Sequence, residues 1–305
     1  MSLPKKLISI VGPTAIGKTS LAIEVANHFN TEIISADSRQ FYQEMAIGTA
    51  KPSVEERAQA IHHFVDFLPV DKLYSAGDFE RAAMLKITEI HEHKDVVVMV
   101  GGSGLYVNAV CLGLDDMPAD IILRKKLKAE LETDGFETLQ SRLKELDPVG
   151  YEQMDHLNTQ RVVRALEVCL TSGKPFSSFH KEQEKQRPFE VITIGLTADR
   201  QYIYDRINMR VDMMIETGLV HEVIHLQSKR EENALKTVGY REIFEHLDGE
   251  INLPEAIEKI KKNTRNFAKR QLTWFKKQPA TWFELSHLDT IIPFLESRIT
   301  QKQDS

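Results

Sequence analysis

Four short apolar runs along the chain have the pattern of strands that are buried on both faces of a parallel sheet. They read KLISIVG from Lys6, EIISAD from Glu32, VVVMVGG from Val96 and VITIGLT from Val191, and each ends in small or polar residues. Helical spacing over residues 18–29 joins the first two runs into a βαβ unit of normal size. The pattern predicts an α/β fold with a parallel sheet core and helices on both faces.

The alternation of strands and helices stops in the middle of the chain. Between residues 116 and 189 the apolar positions have helical spacing, no strand-like run intervenes, and the strand pattern then returns with VITIGLT. This predicts an all-helical insertion domain over residues 116–189, set into a core domain of residues 1–115 and 190–305. The chain after residue 199 is again mostly helical, and the polar tail from Ser297 is predicted to be disordered.

The stretch VGPTAIGKTS, which follows the first run, matches the phosphate-binding pattern G-x-x-x-x-G-K-[ST]. Its glycines permit backbone angles that expose successive N–H groups, and the helix that begins near Lys18 directs its positive end to the same place. Thr19 can offer a hydroxyl to a magnesium ion that the phosphates share. The pattern predicts a P-loop NTPase-like core with magnesium as cofactor, Thr19 as the metal-binding residue, and a diphosphate- or nucleotide-binding loop of Gly12, Pro13, Thr14, Ala15, Ile16, Gly17, Lys18 and Thr19.

The neighbouring strand that usually supplies an acid for the magnesium shell runs instead into glycines. VVVMV is followed by GGSG from Gly101 to Gly104, with no carboxylate. Asp37 ends the EIISAD run, at the carboxyl edge of the sheet where open α/β sheets bind their ligands. Two roles fit it equally. Asp37 is either a general base for a nucleophile that attacks a diphosphate-bearing substrate, or a helix cap or outer-shell magnesium partner.

Charge is unevenly distributed along this otherwise ordinary composition. The 305 residues have a formal net charge of −6, which argues mildly against a nucleic-acid partner. Residues 259–277, however, hold eight basic residues and no acidic one, with Phe267, Trp274 and Phe275 interleaved, and residues 124–128 form a second basic cluster. Each cluster is either a solvated helix face or a surface for nucleic-acid phosphates. Two cysteines and no apolar run long enough for a membrane span predict a cytoplasmic protein without a membrane partner.

Eight segments, in order, carry a specific resemblance. They are GPTAIGKTSLAI, ISADSRQFYQEMAIGTAKPS, HHFVDF, YSAGDF, VMVGGSGLY, NTQRVVRALEV, KTVGYREI and RQLTWFKK. Over roughly residues 5 to 285 the chain resembles the tRNA dimethylallyltransferases, or tRNA isopentenyltransferases, of the bacterial type. The resemblance implies transfer of a prenyl group from dimethylallyl diphosphate to the exocyclic amine of the adenosine 3′-adjacent to the anticodon. It also implies that the tRNA anticodon stem-loop is the partner, and we expect a monomer.

The same resemblance implies roles for individual residues. Asp37 matches the general base, Ser103 the hydroxyl residue near the reacting centre, and Arg210 an arginine that holds the diphosphate. The implied tRNA contacts are Asp37, Ser38, Arg39, Gln40, Gln160, Arg161, Val162, Val163 and Arg164, to which the basic cluster adds Lys125. Two positions depart from the family: Ile16 stands where many members carry Ser, and Ser103 where many carry Thr.

Three alternatives remain open from the residues. An adenylate isopentenyltransferase would use the same donor with free AMP, ADP or ATP as acceptor. A small-molecule P-loop kinase would turn over ATP and release a phosphorylated product. A nucleotide-gated RNA-binding protein would catalyse neither reaction.

Overall fold

The computed structural model describes residues 5–179 and 185–300 of the chain. They separate into two compact units, one that holds the described residues up to Leu112 and from Arg187 onward, and one from Gly113 to Gln186. The bounds of the second unit differ by three residues at each end from the expected 116 and 189. Its predicted role in tRNA binding stays a prediction.

The larger unit is built on six parallel strands in the order β3-β2-β4-β1-β5-β6. They are β1 (Lys6–Val11), β2 (Ile33–Ser35), β3 (His62–His63), β4 (Val96–Val100), β5 (Glu190–Thr197) and β6 (Thr281–Glu284). The central strand β1 pairs with both neighbours, so that Ile8 lies opposite Val98 on one side and Ile192 on the other. The predicted parallel α/β core is confirmed, and the edge strands β3 and β6 are additions to it.

Helices pack on both faces of this sheet. The helices of the larger unit are α1 (Lys18–His28), α2 (Val54–Gln59), α3 (Ala76–His91), α4 (Gly104–Cys111), α9 (Arg200–Glu216), α10 (Leu219–His225), α11 (Tyr240–Leu247), α12 (Leu253–Phe275) and α13 (Ile291–Thr300). Successive side chains of β1 enter opposite apolar clusters, because Cβ atoms alternate along a strand. Ile8 and Ile10 pack with residues of α1, α9 and α13, whereas Leu7 and Val11 pack with residues of α3 and α4.

The predicted disorder from Ser297 is wrong as far as residue 300. Helix α13 runs to Thr300, and it places Ile291, Leu295 and Ile299 in the cluster beneath the sheet. These residues are spaced four apart, so they share one helix face that burial holds in place. The rest of the predicted tail, residues 301–305, lies outside the described residues.

The second unit contains the helices α5 (Ile121–Asp134), α6 (Phe136–Leu146), α7 (Pro148–Gln153) and α8 (Thr159–Ser172). It has its own apolar core, which includes Leu127, Leu143 and Leu166. Glu167 is fully buried at the edge of that core and accepts two hydrogen bonds from Arg124, at 2.7 and 2.9 Å, and one from the Asp120 N–H at 2.8 Å. Burial raises the pKa of Glu167, but these hydrogen bonds and Arg164 outweigh it and leave the pKa lowered. Among the described residues of the chain, no helix is both long and apolar enough to cross a membrane.

Candidate active site

The predicted phosphate loop connects β1 to α1 and holds three residues at positive φ. Gly12 has φ 148°, and a Cβ there would lie 2.8 Å from the backbone oxygen of Leu196 on β5. Gly17, which precedes α1, has φ 104°, and Ala15 between them has φ 64°. Positive φ is unfavourable for alanine, so the surroundings must hold this conformation.

Two side chains from distant helices hold the loop. Gln271 of α12 is buried, and its amide accepts the Thr14 N–H at 2.8 Å and donates to the Gly102 carbonyl oxygen at 2.9 Å. Arg206 of α9 donates from Nε to the Ala15 carbonyl oxygen at 2.7 Å. The Thr14 N–H is therefore already used within the protein.

The loop opens into a cavity of about 780 Å³. The cavity brings together eight of the residues expected to bind or react, namely Thr14, Ala15, Gly17, Lys18, Thr19, Asp37, Gln40 and Arg210. Gly12, Pro13 and Ile16 lie in the same loop, but they are buried and do not line the cavity. Arg210 donates to the Thr14 hydroxyl at 3.2 Å, which places the guanidinium beside the loop.

Ser103 connects the glycine turn after β4 with the segment after β2. Its hydroxyl accepts the Ser38 N–H at 3.0 Å and lies 3.1 Å from the Ser38 hydroxyl. Asp37 precedes Ser38, and its Oδ1 accepts the Arg39 N–H at 3.0 Å. The Gln40 amide is occupied with backbone oxygens of Thr49 and Ala50. Hydrogen bonds thus hold each of the residues expected to receive the acceptor.

Burial brings the proton affinities of the two central groups closer together. The pKa of Lys18 is lowered from 10.5 to about 7, first by burial and then by the positive charge of Arg210. The pKa of Asp37 is raised by burial, although the Arg39 N–H and the charge of Lys18 oppose the shift. In this state the Lys18 amine donates to the Pro13 carbonyl oxygen at 2.7 Å. Positive charge on Lys18 is unfavourable in the empty site, because the amine is buried beside Arg210. An anionic ligand would compensate this charge, so the site favours an anion.

The far wall of the cavity includes the loop around Ile47. The Glu222 carboxylate, from α10, accepts three consecutive backbone N–H groups of this loop, from Ala46, Ile47 and Gly48, at 2.8 to 3.0 Å. It also accepts the Tyr240 hydroxyl at 2.6 Å. A single carboxylate therefore holds this part of the cavity wall.

Similarity to known proteins identifies the family of the chain. A family model described as IPP transferase matches residues 40–278. The chain belongs to this family. The family that the eight segments predicted is confirmed.

Relatives of this IPP transferase match over nearly its whole length. A protein of Christiangramia forsetii named tRNA dimethylallyltransferase is 54% identical over 296 residues, which are 96% of this chain and 98% of the relative. A protein of Flavobacterium johnsoniae with the same name is 50% identical over 290 residues, 92% of this chain and 94% of the relative.

Solved structures agree. The full-length tRNA isopentenylpyrophosphate transferase of Bacillus halodurans has a TM-score of 0.72 and 38% identity, and the match covers 97% of each chain. A eukaryotic dimethylallyltransferase described as acting on tRNA has a TM-score of 0.81 and 28% identity, over 98% of this chain and 81% of that one.

The insertion unit of this IPP transferase presents only part of the predicted tRNA-binding set. Lys125, Gln160 and Arg161 are exposed. Val162 and Val163, in contrast, are buried in the core of the unit, so their side chains serve packing, and their contact with RNA stays a prediction. Arg164 is held by Glu167 and by the Pro118 carbonyl oxygen, both at 3.0 Å, so its guanidinium is already partnered.

The residues of the IPP transferase site that the sequence did not single out are Gln271, Arg206, Glu222 and Tyr240. Gln271 lies in the RQLTWFKK segment that contributed to the resemblance, but no spacing rule indicates which side chain of that segment turns inward. Each of these side chains acts on residues far away along the chain. Their roles appear only when the fold brings the segments together.

Two oxygen donors at the cavity fit a magnesium ion that the substrate shares. Thr19 and Asp37 both line the cavity, and the described residues contain no group of three or more His, Cys, Asp or Glu side chains arranged to hold a metal. Magnesium often binds through one or two protein oxygens plus substrate phosphates and water. Two protein oxygens of this kind are compatible with an ion that substrate phosphates also bind.

Proposed function

We propose that the chain transfers the dimethylallyl group of dimethylallyl diphosphate to the exocyclic amine of the adenosine 3′-adjacent to the anticodon in tRNA, and releases diphosphate. The observation that carries the proposal is the cavity in which the phosphate loop, Arg206, Arg210 and the Asp37 carboxylate meet. The names of the relatives support the same reaction.

One face of helix α9 suits a donor with a charged head and a hydrocarbon tail. Arg206, Arg210, Met213, Met214 and Thr217 all line the cavity, at spacings that place them on one side of a helix. The arginines lie at the end that contacts the phosphate loop, and the methionines follow one turn later. The diphosphate would bind at the first end and the five-carbon group at the second.

The cationic groups of the site would act on the bond that breaks. As the allylic carbon–oxygen bond lengthens, negative charge grows on the diphosphate, and Lys18 and Arg210 stabilise it together with the free N–H groups of the loop. Magnesium, held by Thr19 with Asp37 nearby, would supply further positive charge to the same oxygens. Interactions that strengthen with developing charge raise the rate rather than only the affinity.

Asp37 would complete the reaction on the acceptor. The adenine amine forms the new carbon–nitrogen bond while the bond to the diphosphate breaks, and the amine proton passes to the Asp37 carboxylate. The raised pKa of Asp37 makes it a stronger base than an exposed carboxylate. Ser103 and Ser38, which hydrogen-bond to each other, would position the acceptor beside it.

An anticodon stem-loop fits this proposal better than a free nucleotide. Each unit by itself exposes basic residues: Lys125 and Arg161 in the insertion unit, and Lys262 and Lys269 on α12. Such residues can neutralise the backbone phosphates of an RNA, whereas a free nucleotide carries only its own phosphate group. We propose a monomer in the cytoplasm as the working form.

A transfer assay separates this proposal from its alternatives. Purified protein is incubated with magnesium, labelled dimethylallyl diphosphate and one acceptor. Unmodified tRNA, AMP and ATP are tested as acceptors in separate reactions. We expect label in the tRNA and one diphosphate released per label. Label in AMP but not in tRNA would identify an adenylate isopentenyltransferase, and phosphate transfer from ATP would identify a kinase. RNA binding without either transfer would leave a binding protein.

The base is tested by Asp37→Asn, which keeps the shape of the side chain. We expect a loss of about two to four powers of ten in the transfer rate, with the Kd of the donor little changed. Asp71→Asn, at an exposed position, is the matched control. Equal losses of rate and donor affinity would make Asp37 a magnesium or positioning residue instead.

A further inference from the structure

Helix α12 presents a row of two aromatic rings and an arginine to solvent. Phe267, Arg270 and Trp274 are spaced three and four residues apart, so they lie on one face of the helix. Both aromatic side chains are 38% exposed, and the Arg270 guanidinium lies 5.8 Å from the centre of the Phe267 ring. We call these three residues the aromatic stripe. Phe275, the other aromatic residue of this part of the helix, is buried.

One end of the aromatic stripe lies next to the glycine turn that follows β4. The Trp274 ring lies against Gly104, where a Cβ would be 2.3 Å from the indole atoms Cδ1 and Nε1. Ser103, which holds Ser38, immediately precedes Gly104. Gln271, one turn before Trp274 on the same helix, reaches the phosphate loop. The ring of Trp274 is thus fixed beside the hydroxyl residues that we propose to position the acceptor.

Unpaired positive charge flanks the aromatic stripe. Lys259 and Lys261, at the start of the basic segment, form ion pairs with Glu245 and Asp212. Beyond them, four exposed lysines form no ion pair with any described residue: Lys262, Lys269, Lys276 and Lys277. The basic segment therefore divides into a part that stabilises the fold and a part that is free to contact phosphates.

The dimensions of the aromatic stripe suit a short single strand. At a rise of 1.5 Å per residue, Phe267 and Trp274 are separated by about 10 Å along the axis, so each ring can stack on a different base. Aromatic rings and guanidinium planes stack on unpaired bases of any sequence, and lysines beside them bind the backbone. A protein or lipid partner would not require this combination of planar groups and free cations.

We propose that Phe267, Arg270 and Trp274 form a stacking platform for the unpaired bases that flank the acceptor adenosine. The inference rests on the proposed RNA acceptor and assigns residues of the core unit to its recognition. The platform would hold the loop bases unstacked from one another, so that the acceptor base can enter the cavity.

The first test observes Trp274 directly. The chain has two tryptophans, so Trp282→Phe leaves Trp274 as the single indole. We expect its fluorescence to be quenched when an anticodon stem-loop RNA is added. The same RNA with abasic sites on both sides of the acceptor should bind without this quenching. Equal quenching by both RNAs would overturn the proposal, as would no change on saturation.

The second test separates stacking from charge and from packing. Trp274→Ala and Phe267→Ala should each weaken RNA binding about five- to 150-fold, the range for loss of one stacked base, with the salt dependence unchanged. Trp274→Phe should restore most of the affinity. Lys269→Ala, the matched charge variant, should instead flatten the salt dependence.

A third variant displaces the ring without removing it. Gly104→Ala places a methyl group where the indole lies, and we expect it to weaken RNA binding in the same way as Trp274→Ala. If Trp274→Ala lowers donor affinity or Tm but leaves RNA binding unchanged, the ring serves packing alone and the platform is refuted. Failure of the proposed reaction is a separate result, because it appears as an absence of label transfer by the wild-type protein, whereas these tests measure binding.

Discussion

The charge of Lys18 makes donor binding strongly dependent on pH. Since its pKa is about 7 in the free protein, half of the molecules carry the charged amine at pH 7. A bound diphosphate attracts the proton, so the pKa rises in the complex and binding above pH 7 takes up a proton. The charged fraction falls to about one in a hundred at pH 9, so we expect donor affinity to fall about fifty-fold between pH 7 and pH 9.

Lys18→Arg provides the control for this prediction. A guanidinium stays charged throughout this range, so residue 18 of the variant does not titrate. The pH dependence of the variant therefore comes only from the donor and from other groups of the protein. Binding of dimethylallyl diphosphate without RNA is measured by calorimetry from pH 7 to pH 9, in two buffers with different ionisation enthalpies. At pH 8 we expect the wild type to take up about 0.9 proton more than the variant. Parallel pH profiles for the two proteins would refute the reasoning.

Three further predictions concern side chains that hold the site or the insertion unit. Gln271→Glu keeps an acceptor for the Thr14 N–H, but it loses the donor to Gly102 and adds negative charge near the phosphate loop. Steady-state kinetics should therefore show the KM for the donor raised by a factor of about ten, about 1.4 kcal/mol, with a smaller change in the KM for RNA. An unchanged KM for the donor would contradict this prediction. Glu222→Gln weakens the hold on three backbone N–H groups and should lower the free energy of unfolding by about 1–3 kcal/mol in urea titrations, whereas Glu231→Gln, at an exposed position, should not. Glu167→Gln leaves two arginines without their charged partner and should cost about 3–5 kcal/mol. Because the pKa of Glu167 is lowered in the folded state, its contribution is present above the unperturbed value of 4.5 and is lost as the pH falls through the folded value, so the Tm values of wild type and variant should converge in acid.

The parts of the fold that could be predicted are those whose signal is local. Strands β1, β2, β4 and β5 are buried on both faces and therefore read as continuous apolar runs. Strand β3 has only two residues, and the ends of β6 are exposed, so neither has an apolar run to detect. The phosphate loop was predictable because its glycines and Lys18 are set by spacing alone.

The supports of the site could not be predicted because they depend on contacts between distant residues. Gln271 lies 257 positions from Thr14, and Arg206 lies 191 positions from Ala15. A glutamine whose amide is buried and one whose amide is exposed look the same in the sequence, and only the folded structure distinguishes them. The same reason applies to Val162 and Val163, because the motif alone does not show that their side chains face the core.

The place where the insertion leaves the core has a consequence for how such a chain can vary in length. The core unit is left at Leu112, after α4, and re-entered at Arg187, before β5, so the central strands β1 and β5 pair only after this long excursion is closed. The entropy of closing a loop grows with the logarithm of its length, and doubling the excursion costs only about 0.6 kcal/mol. The inserted helices can therefore change in length during evolution with little loss of stability. A longer insertion would instead slow the folding of the sheet.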